Sequence, residues 1–372
     1  MDDTKILICC DKFKGSLDAH KVCKSISDGI VSTHSNIQVN IQPMADGGDG
    51  SLSILKHKLQ LTATSATTID PLGKTITADY YIKDKHGYIE LASASGMWRL
   101  AAGTLDIMST TTLGTGQLIA DAVANGCHTI SLFLGGSCTN DVGLGILHQL
   151  GYKFISASGV PLIPTGGNLL DIKSIVMPSA PITYTMNILC DVTNPLYGHS
   201  GAAQVYGPQK GATPAQIKTL DKGMEHIANL IFSATGQRVA EMPGAGATGG
   251  IAAGLVGLLP KAVLSNGFQY VKEAVGLEEK IKASDIVICG EGKLDHSSMQ
   301  GKVVGEVAKL CRTNNKKMLV VVGHTDLEHE YLLSHGVHEV FKLSDFAKSL
   351  EDSMTNAADY LCEIGKMMTL HS

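Results

Sequence analysis

Five glycine-rich segments punctuate this chain, at 46–50, 135–145, 198–211, 244–257 and 290–301, and each joins an apolar run to a helix-like one. A short apolar strand that turns through glycines into a helix is the building step of a helix-covered parallel sheet. The same loops let a backbone approach a phosphate closely. The N-terminal stretch follows this grammar, with a strand over 5–10, a helix over 18–32, a strand over 37–42 and a helix from Ser51. It returns near the other end, with strands at 286–289 and 318–322 and helices at 303–312 and 350–364. Between these ends, 61–69, 75–82 and 88–91 are Thr- and Tyr-rich runs separated by Pro71-Leu72-Gly73 and Lys85-His86-Gly87, which predicts hairpins. Thr213, Pro214 and Gln216 form a capping box that opens a helix toward Ser233. The simplest organisation is α/β. A parallel-sheet domain is formed by 1–62 and 285–372, and a mixed α/β domain over 63–284 is inserted into it.

Composition narrows the function. With 44% hydrophobic residues, 372 residues are enough for two buried cores. A net charge of -5 and the lack of any Lys/Arg run argue against a nucleic-acid partner. The longest apolar stretch, 251–259, falls well short of the roughly 20 residues that span a bilayer, so no membrane partner is expected. The acidic first residues do not read as an export signal. Nine cysteines with no Cys-x-x-Cys pair fit a reducing cytoplasm better than a disulfide framework or a zinc site. Oligomeric state is not readable.

The Walker A pattern is absent, so a nucleotide site has to be built another way. A Gly-x-Gly-x-x-Gly does occur at Gly244, Gly246 and Gly249, with Glu273 near the distance of a ribose-binding acid. Pro243 and a polar stretch precede it, however, where a dinucleotide fold needs a strand. The stronger signal is the placing of acidic residues within the glycine loops: Asp46 and Asp49, Asn140 and Asp141, Asp191 to Asn194, and Gly290-Glu291-Gly292 with Asp295. Loop NH groups and lysines to cradle phosphate, carboxylates for a divalent cation and one base for a hydroxyl are what phosphoryl transfer requires. Asp191 ends the apolar run 182–190, at the carboxyl end of an expected strand, where open sheets bind ligands. An Asx turn before Pro195 would explain it equally. Lys12 and Lys14 follow the first strand and suit an anion, or are solvated surface lysines.

Taken together and in order, Asp11-Lys-Phe-Lys-Gly-Ser-Leu17, Pro43-Met-Ala-Asp-Gly-Gly-Asp-Gly50, Gly135-Gly-Ser-Cys-Thr-Asn-Asp141, Gly207-Pro-Gln-Lys-Gly-Ala212, Pro243-Gly-Ala-Gly246 and Gly290-Glu-Gly-Lys-Leu-Asp295 resemble the signature blocks of the glycerate kinases. The resemblance runs from near residue 5 to at least Gly323. It implies a Rossmann-like domain from both termini, an inserted domain, a site in the cleft between them, and phosphorylation of D-glycerate by ATP with Mg²⁺, favouring the 2-hydroxyl. Carried over, it makes Asp191 the base or metal partner, with Lys12 and Lys14 as catalytic anion contacts. Gly135, Gly136, Ser137, Asn140, Lys210, Gly290, Glu291 and Gly292 become nucleotide-binding residues, and Asp46, Asp141 and Asp295 magnesium ligands. The chain departs from the pattern at Cys9, Cys10, Lys12, Cys138, Val142 and Lys293. Of these, Lys12 adds a cation near the expected substrate and Val142 removes a glycine's freedom. The rival readings are an NAD(P)-dependent hydroxy-acid oxidoreductase and a non-catalytic ligand-binding relative on the same fold.

Overall fold

The computed structural model describes residues 4–101 and 103–370. In chain order the elements are β1 (Thr4–Ile8), α1 (Ala19–Thr33), β2 (Ile37–Ile41), α2 (Ser51–Lys58), β3 (Thr62–Ile69), β4 (Thr75–Lys83), β5 (His86–Glu90), α3 (Ala92–Ser95), α4 (Leu113–Ala124), β6 (Thr129–Phe133), α5 (Leu144–Gln149), β7 (Lys153–Ser156), β8 (Pro161–Leu162) and β9 (Ile172–Val176). There follow β10 (Thr185–Cys190), α6 (Ala202–Tyr206), α7 (Pro214–Thr235), α8 (Ala247–Leu258), β11 (Ala262–Asn266), α9 (Gly267–Val275), α10 (Leu277–Lys282), β12 (Ile286–Leu294), α11 (Val303–Thr313), β13 (Lys317–Thr325), α12 (His329–Ser334), β14 (Glu339–Lys342), α13 (Leu350–Thr355) and α14 (Ala357–Met367).

These elements form two compact units. The terminal unit holds the described residues up to Asp46, the stretch Ser53–Leu59 and everything described from Phe268 onward; the inserted unit holds Gly47–Leu52 and Gln60–Gly267. The protein is therefore α/β, with a Rossmann-like sheet built from both ends of the chain and a mixed unit inserted into it. Helices α9 and α10 go with the terminal unit, whereas the hydropathy pattern drew the boundary after 284.

The terminal sheet has the order β14-β13-β12-β1-β2 and is parallel throughout. Ile6, Leu7 and Ile8 of β1 are all buried, as a strand covered by helices on both faces requires. Each such side chain contributes about 1.5–3 kcal/mol on leaving water. The vicinal Cys9 and Cys10 beyond β1 are fully buried, and burial pushes the Cys10 thiol up, which makes them packing residues with little thiolate to oxidise. The C-terminal helix expected over 350–364 is two helices, α13 and α14. Asn356 leaves helical geometry between them, and its amide donates to Asp352.

The inserted unit carries a six-stranded sheet, β11-β10-β6-β5-β4-β3, in which β11 to β5 run parallel and the β3–β4–β5 meander runs antiparallel, together with a small antiparallel sheet β8-β7-β9. The predicted capping box is formed: the Thr213 hydroxyl accepts from the Gln216 amide at 3.3 Å, and Gln216 Oε1 accepts from the Thr213 amide at 2.8 Å. No described helix is long and apolar enough to cross a membrane.

Candidate active site

In the inserted unit, β6 and β10 are hydrogen-bonded parallel neighbours, so the loops leaving their carboxyl ends emerge side by side. The β6 loop is Gly135 to Asp141, and the β10 loop begins at Asp191. Gly135 presses on the segment Gly48-Asp49; a Cβ there would stand 2.4 Å from the Asp49 amide nitrogen. Ser137 pairs with Gly96 in an isolated bridge. Lys210, expected to reach a nucleotide, is instead turned inward. It is 3% exposed, and its ammonium donates to Ser137 Oγ at 2.8 Å and to the Thr139 carbonyl at 2.7 Å. Burial brings its pKa down to about 8, against the opposing influence of Cys138 and Asp141. The lysine thus pins the glycine loop from beneath, with its positive charge below the loop's surface.

Asp141 was expected to bind nucleotide or magnesium, but its carboxylate is taken up by the protein itself. Oδ2 accepts from the Thr112 amide and hydroxyl, both at 2.8 Å, and from the Gly145 amide at 3.2 Å, while Oδ1 accepts from the Gly143 amide at 3.1 Å. Burial raises its pKa and these donors hold it down. The result is a structural staple between the loop and the start of α4. Its neighbour Asn140 is fully buried, and neither its Oδ1 nor its Nδ2 has a hydrogen-bond partner among the described residues.

Asp191 follows Cys190 directly at the end of β10. It lies close enough to Tyr206 to help raise that phenol to about 12, burial being the larger cause. Tyr206 donates to Asn194 Oδ1 at 2.7 Å, and the Asn194 carbonyl accepts from the Gly246 amide at 3.0 Å. The Asp191 loop is therefore tied to the glycine stretch that opens α8. No strand lies among the described residues between the end of α7 and the start of α8, so Gly244, Gly246 and Gly249 do not form the strand-turn-helix of a dinucleotide site.

The terminal unit carries a second set. Asp11 follows β1, Asp46 follows β2, and Glu291 lies on β12, which neighbours β1 in the sheet. Burial raises the Asp11 pKa well above the usual carboxylate range, with further upward pushes from Asp46 and Glu291 and a downward one from Lys12. Glu291 is raised to about 7, first by burial; Ser298 and Lys302 oppose, and Asp295 and Asp46 add repulsion. One carboxylate oxygen, Oε1, is buried with no hydrogen-bond partner among the described residues. Asp295 caps its own turn, accepting from the Ser297 hydroxyl at 2.5 Å and the Ser298 amide at 3.1 Å; despite some burial, these bonds lower its pKa. Lys14 is exposed. Gly290, Glu291 and Gly292 lie in a strand, because β12 keeps pairing with β13 as far as Leu294 and Thr325. Gly290 is small for a packing reason, since a Cβ would stand 2.1 Å from the Val321 carbonyl oxygen.

The raised Glu291 sets a pH dependence. Its folded pKa lies above the unfolded value, so its contribution to stability is full below about 4.5 and is lost as pH rises through about 7. Glu291→Gln is expected to flatten the loss of stability over that window by as much as about 3 kcal/mol. Urea unfolding at pH 4.5 and pH 7.5 checks this, and equal slopes in both proteins would rule it out.

A family model described as the glycerate kinase family matches residues 6–370. The chain is 36% identical to "Glycerate kinase" of Halalkalibacterium halodurans over 94% of this chain and 93% of that protein. It is 35% identical to "Glycerate 2-kinase" of Escherichia coli K12 over 97% and 96%. The chain belongs to the glycerate kinase family. A crystal structure assigned as glycerate kinase 2 from Salmonella typhimurium LT2 superposes with a TM-score of 0.77 at 32% identity, covering 98% of this chain and 96% of that one.

As a glycerate kinase family member the chain is a phosphotransferase with an alcohol acceptor. Asp11 in the terminal unit and Glu90 and Thr248 in the inserted unit were not singled out in the sequence as candidate site residues. Asp11 obeys the rule that singled out Asp191, an acid just past a buried strand, and was legible by that rule. Glu90, which ends β5, accepts from the Gly50 and Leu52 amides at 2.9 and 2.8 Å and so fixes the Asp49 segment. Thr248 has a left-handed backbone (φ 49°) at the opening of α8, and no sequence signal marks it. Val142 is likewise left-handed (φ 57°) and fully buried, a strained setting for a β-branched residue. Its amide donates to the Gly249 carbonyl at 3.1 Å.

Proposed function

We propose that this protein transfers the γ-phosphate of ATP to D-glycerate, giving 2-phosphoglycerate, with Mg²⁺ as the cofactor. The observation that carries this reading is the emergence of the Asp191 loop and the Gly135–Asp141 loop side by side from the parallel strands β10 and β6, within a chain of the glycerate kinase family. The 2-position is supported by the name of the relative in Escherichia coli.

Asp191 orients the acceptor hydroxyl and takes its proton. The NH groups of Gly135, Gly136 and Ser137 line the phosphate path, with Lys210 setting their geometry, and Lys12 and Lys14 contact the anionic groups. The terminal unit suits a hard divalent cation. Asp11, Asp46 and Glu291 offer oxygen only, repel one another, and leave Glu291 Oε1 buried and unpartnered. Among the described residues no three acidic, His or Cys groups could enclose a metal by themselves. Magnesium keeps waters and substrate phosphates in its shell, so the protein need supply only part of its oxygen ligands. Asp46, Glu291 and Asp295 would hold the ion, which when bound supplies neutralisation of charge on the transferring phosphoryl group. Unpaired, mostly buried cysteines support action in the cytoplasm.

The test is to supply ATP, Mg²⁺ and D-glycerate, follow ADP, and add enolase with and without phosphoglycerate mutase. ADP that depends on glycerate and metal, with a product enolase consumes directly, is the expected result. A product that needs the mutase moves the transfer to the 3-hydroxyl, and no turnover at high protein concentration removes glycerate as the acceptor.

A further inference from the structure

Buried side-chain polar atoms without a partner are costly, at about 1–3 kcal/mol each, and rare in a settled fold. Among the described residues there are seven, and four of them belong to Thr139, Asn140 and Thr248. Those three residues stand together. The Gly249 α-carbon fits so tightly against the loop that a Cβ would lie 2.2 Å from the Thr139 carbonyl oxygen and 2.8 Å from the Asn140 α-carbon. The Thr248 carbonyl accepts from Ser137 Oγ at 3.3 Å, and Ser137 accepts in turn from Lys210. Thr248, Gly249 and Gly250 are all left-handed, and the regular turns of α8 follow them. On the other side, the Gly246 amide bonded to the Asn194 carbonyl joins this cluster to the Asp191 loop.

The cluster's chemistry is that of a small polyhydroxy acid. Asn140 offers two donors and an acceptor, the two threonine hydroxyls can each do either, and the buried Lys210 charge beneath them favours a carboxylate. An adenine or ribose would not use that charge, and the phosphates have the Gly135–Ser137 amides. We propose that Asn140, Thr139 and Thr248 form the acceptor subsite, holding the carboxylate and the non-reacting hydroxyl of the hydroxy acid so that the reacting hydroxyl faces Asp191. Asn140, grouped by its motif with the nucleotide contacts, is thereby an acceptor-reading residue. Lys210 is a positioning residue that acts through Ser137 and Thr139. This inference rests on the kinase reading above.

The test uses full-length wild type, Asn140→Ala, Thr248→Val and Thr248→Ser. KM is measured separately for ATP and for D-glycerate, and the rise in Tm is measured on adding D-glycerate alone and with a non-hydrolysable ATP analogue. Asn140→Ala and Thr248→Val are expected to raise KM for D-glycerate at least tenfold, leave KM for ATP within twofold, and abolish the glycerate-induced rise in Tm. Thr248→Ser should restore most of the affinity. A rise in KM for ATP instead assigns the cluster to the nucleotide and overturns the proposal. Unchanged constants would mean that ordinary buried water satisfies these atoms, and would overturn it as well. Should Asn140→Ala fail to fold, Thr248→Val decides alone. If wild type ignores glycerate but turns over D-erythronate, L-threonate or D-gluconate, the glycerate reading falls, and the same KM ratio with that acid decides the subsite. Turnover with none of the four overturns both.

Discussion

Asp191→Asn is expected to lower kcat by roughly 10²–10⁴-fold, because the amide keeps the size and hydrogen-bonding reach of the carboxylate but cannot accept the hydroxyl proton. In free energy that is about 3–5 kcal/mol of transition-state stabilisation. The fold should survive, since Asp191 lies beyond the last β10 residue and the buried core of the inserted unit does not include it. KM values for both substrates are therefore expected to stay within a few-fold. Steady-state kinetics over a range of Mg²⁺ concentrations separates the two roles open to this residue. An activity loss that excess magnesium cannot restore marks a proton acceptor, while substantial recovery marks a metal partner. Unchanged kcat at saturating metal removes Asp191 from the chemistry.

Gly249→Ala should be among the most damaging single-methyl changes in the inserted unit. The backbone there is left-handed (φ 82°), which costs an L-residue roughly 1–2 kcal/mol, and the new Cβ would meet the Thr139 carbonyl oxygen at 2.2 Å. Neither side can retreat easily. Thr139 O accepts from the buried Lys210, and the Gly249 carbonyl accepts from the Val142 amide. A total loss of about 3 kcal/mol or more is expected, which for a unit of this size is a fall in Tm of roughly 6–12 °C. Activity should drop further than the folded fraction accounts for, because the displaced atoms belong to Thr139 and Asn140. Thermal unfolding monitored by circular dichroism, beside kinetics well below the transition, tests both parts. A Tm within 2 °C of wild type would show that the contact between α8 and the β6 loop is loose.

The sequence by itself determined the elements whose cause is local or periodic. Solid apolar runs made β1, β10 and β13 buried parallel strands, and the Thr213–Gln216 pattern started α7 because a hydroxyl and an amide three residues apart satisfy each other's backbone. The two-part organisation followed from the change between helical and hairpin periodicities. The place of Asp191 at the carboxyl end of β10 was legible because an acid ending a buried run has a defined position in a parallel sheet. What glycine meant could not be read locally. At 290–292 it signals close packing against β13 within a strand, and at 249 it signals close packing against another loop, yet both look like flexible turns in the sequence. The charges were equally ambiguous. Lys210 and Asp141 carry the residue types of phosphate and metal contacts, but the fold buries both and turns them onto the protein's own donors and acceptors. A side chain's partner is set by which distant segments the sheet brings beside it, and strands β6 and β10, more than fifty residues apart in the chain, become neighbours only once the sheet has formed. For that reason the tertiary structure alone decided that Thr139, Asn140 and Thr248 stand together.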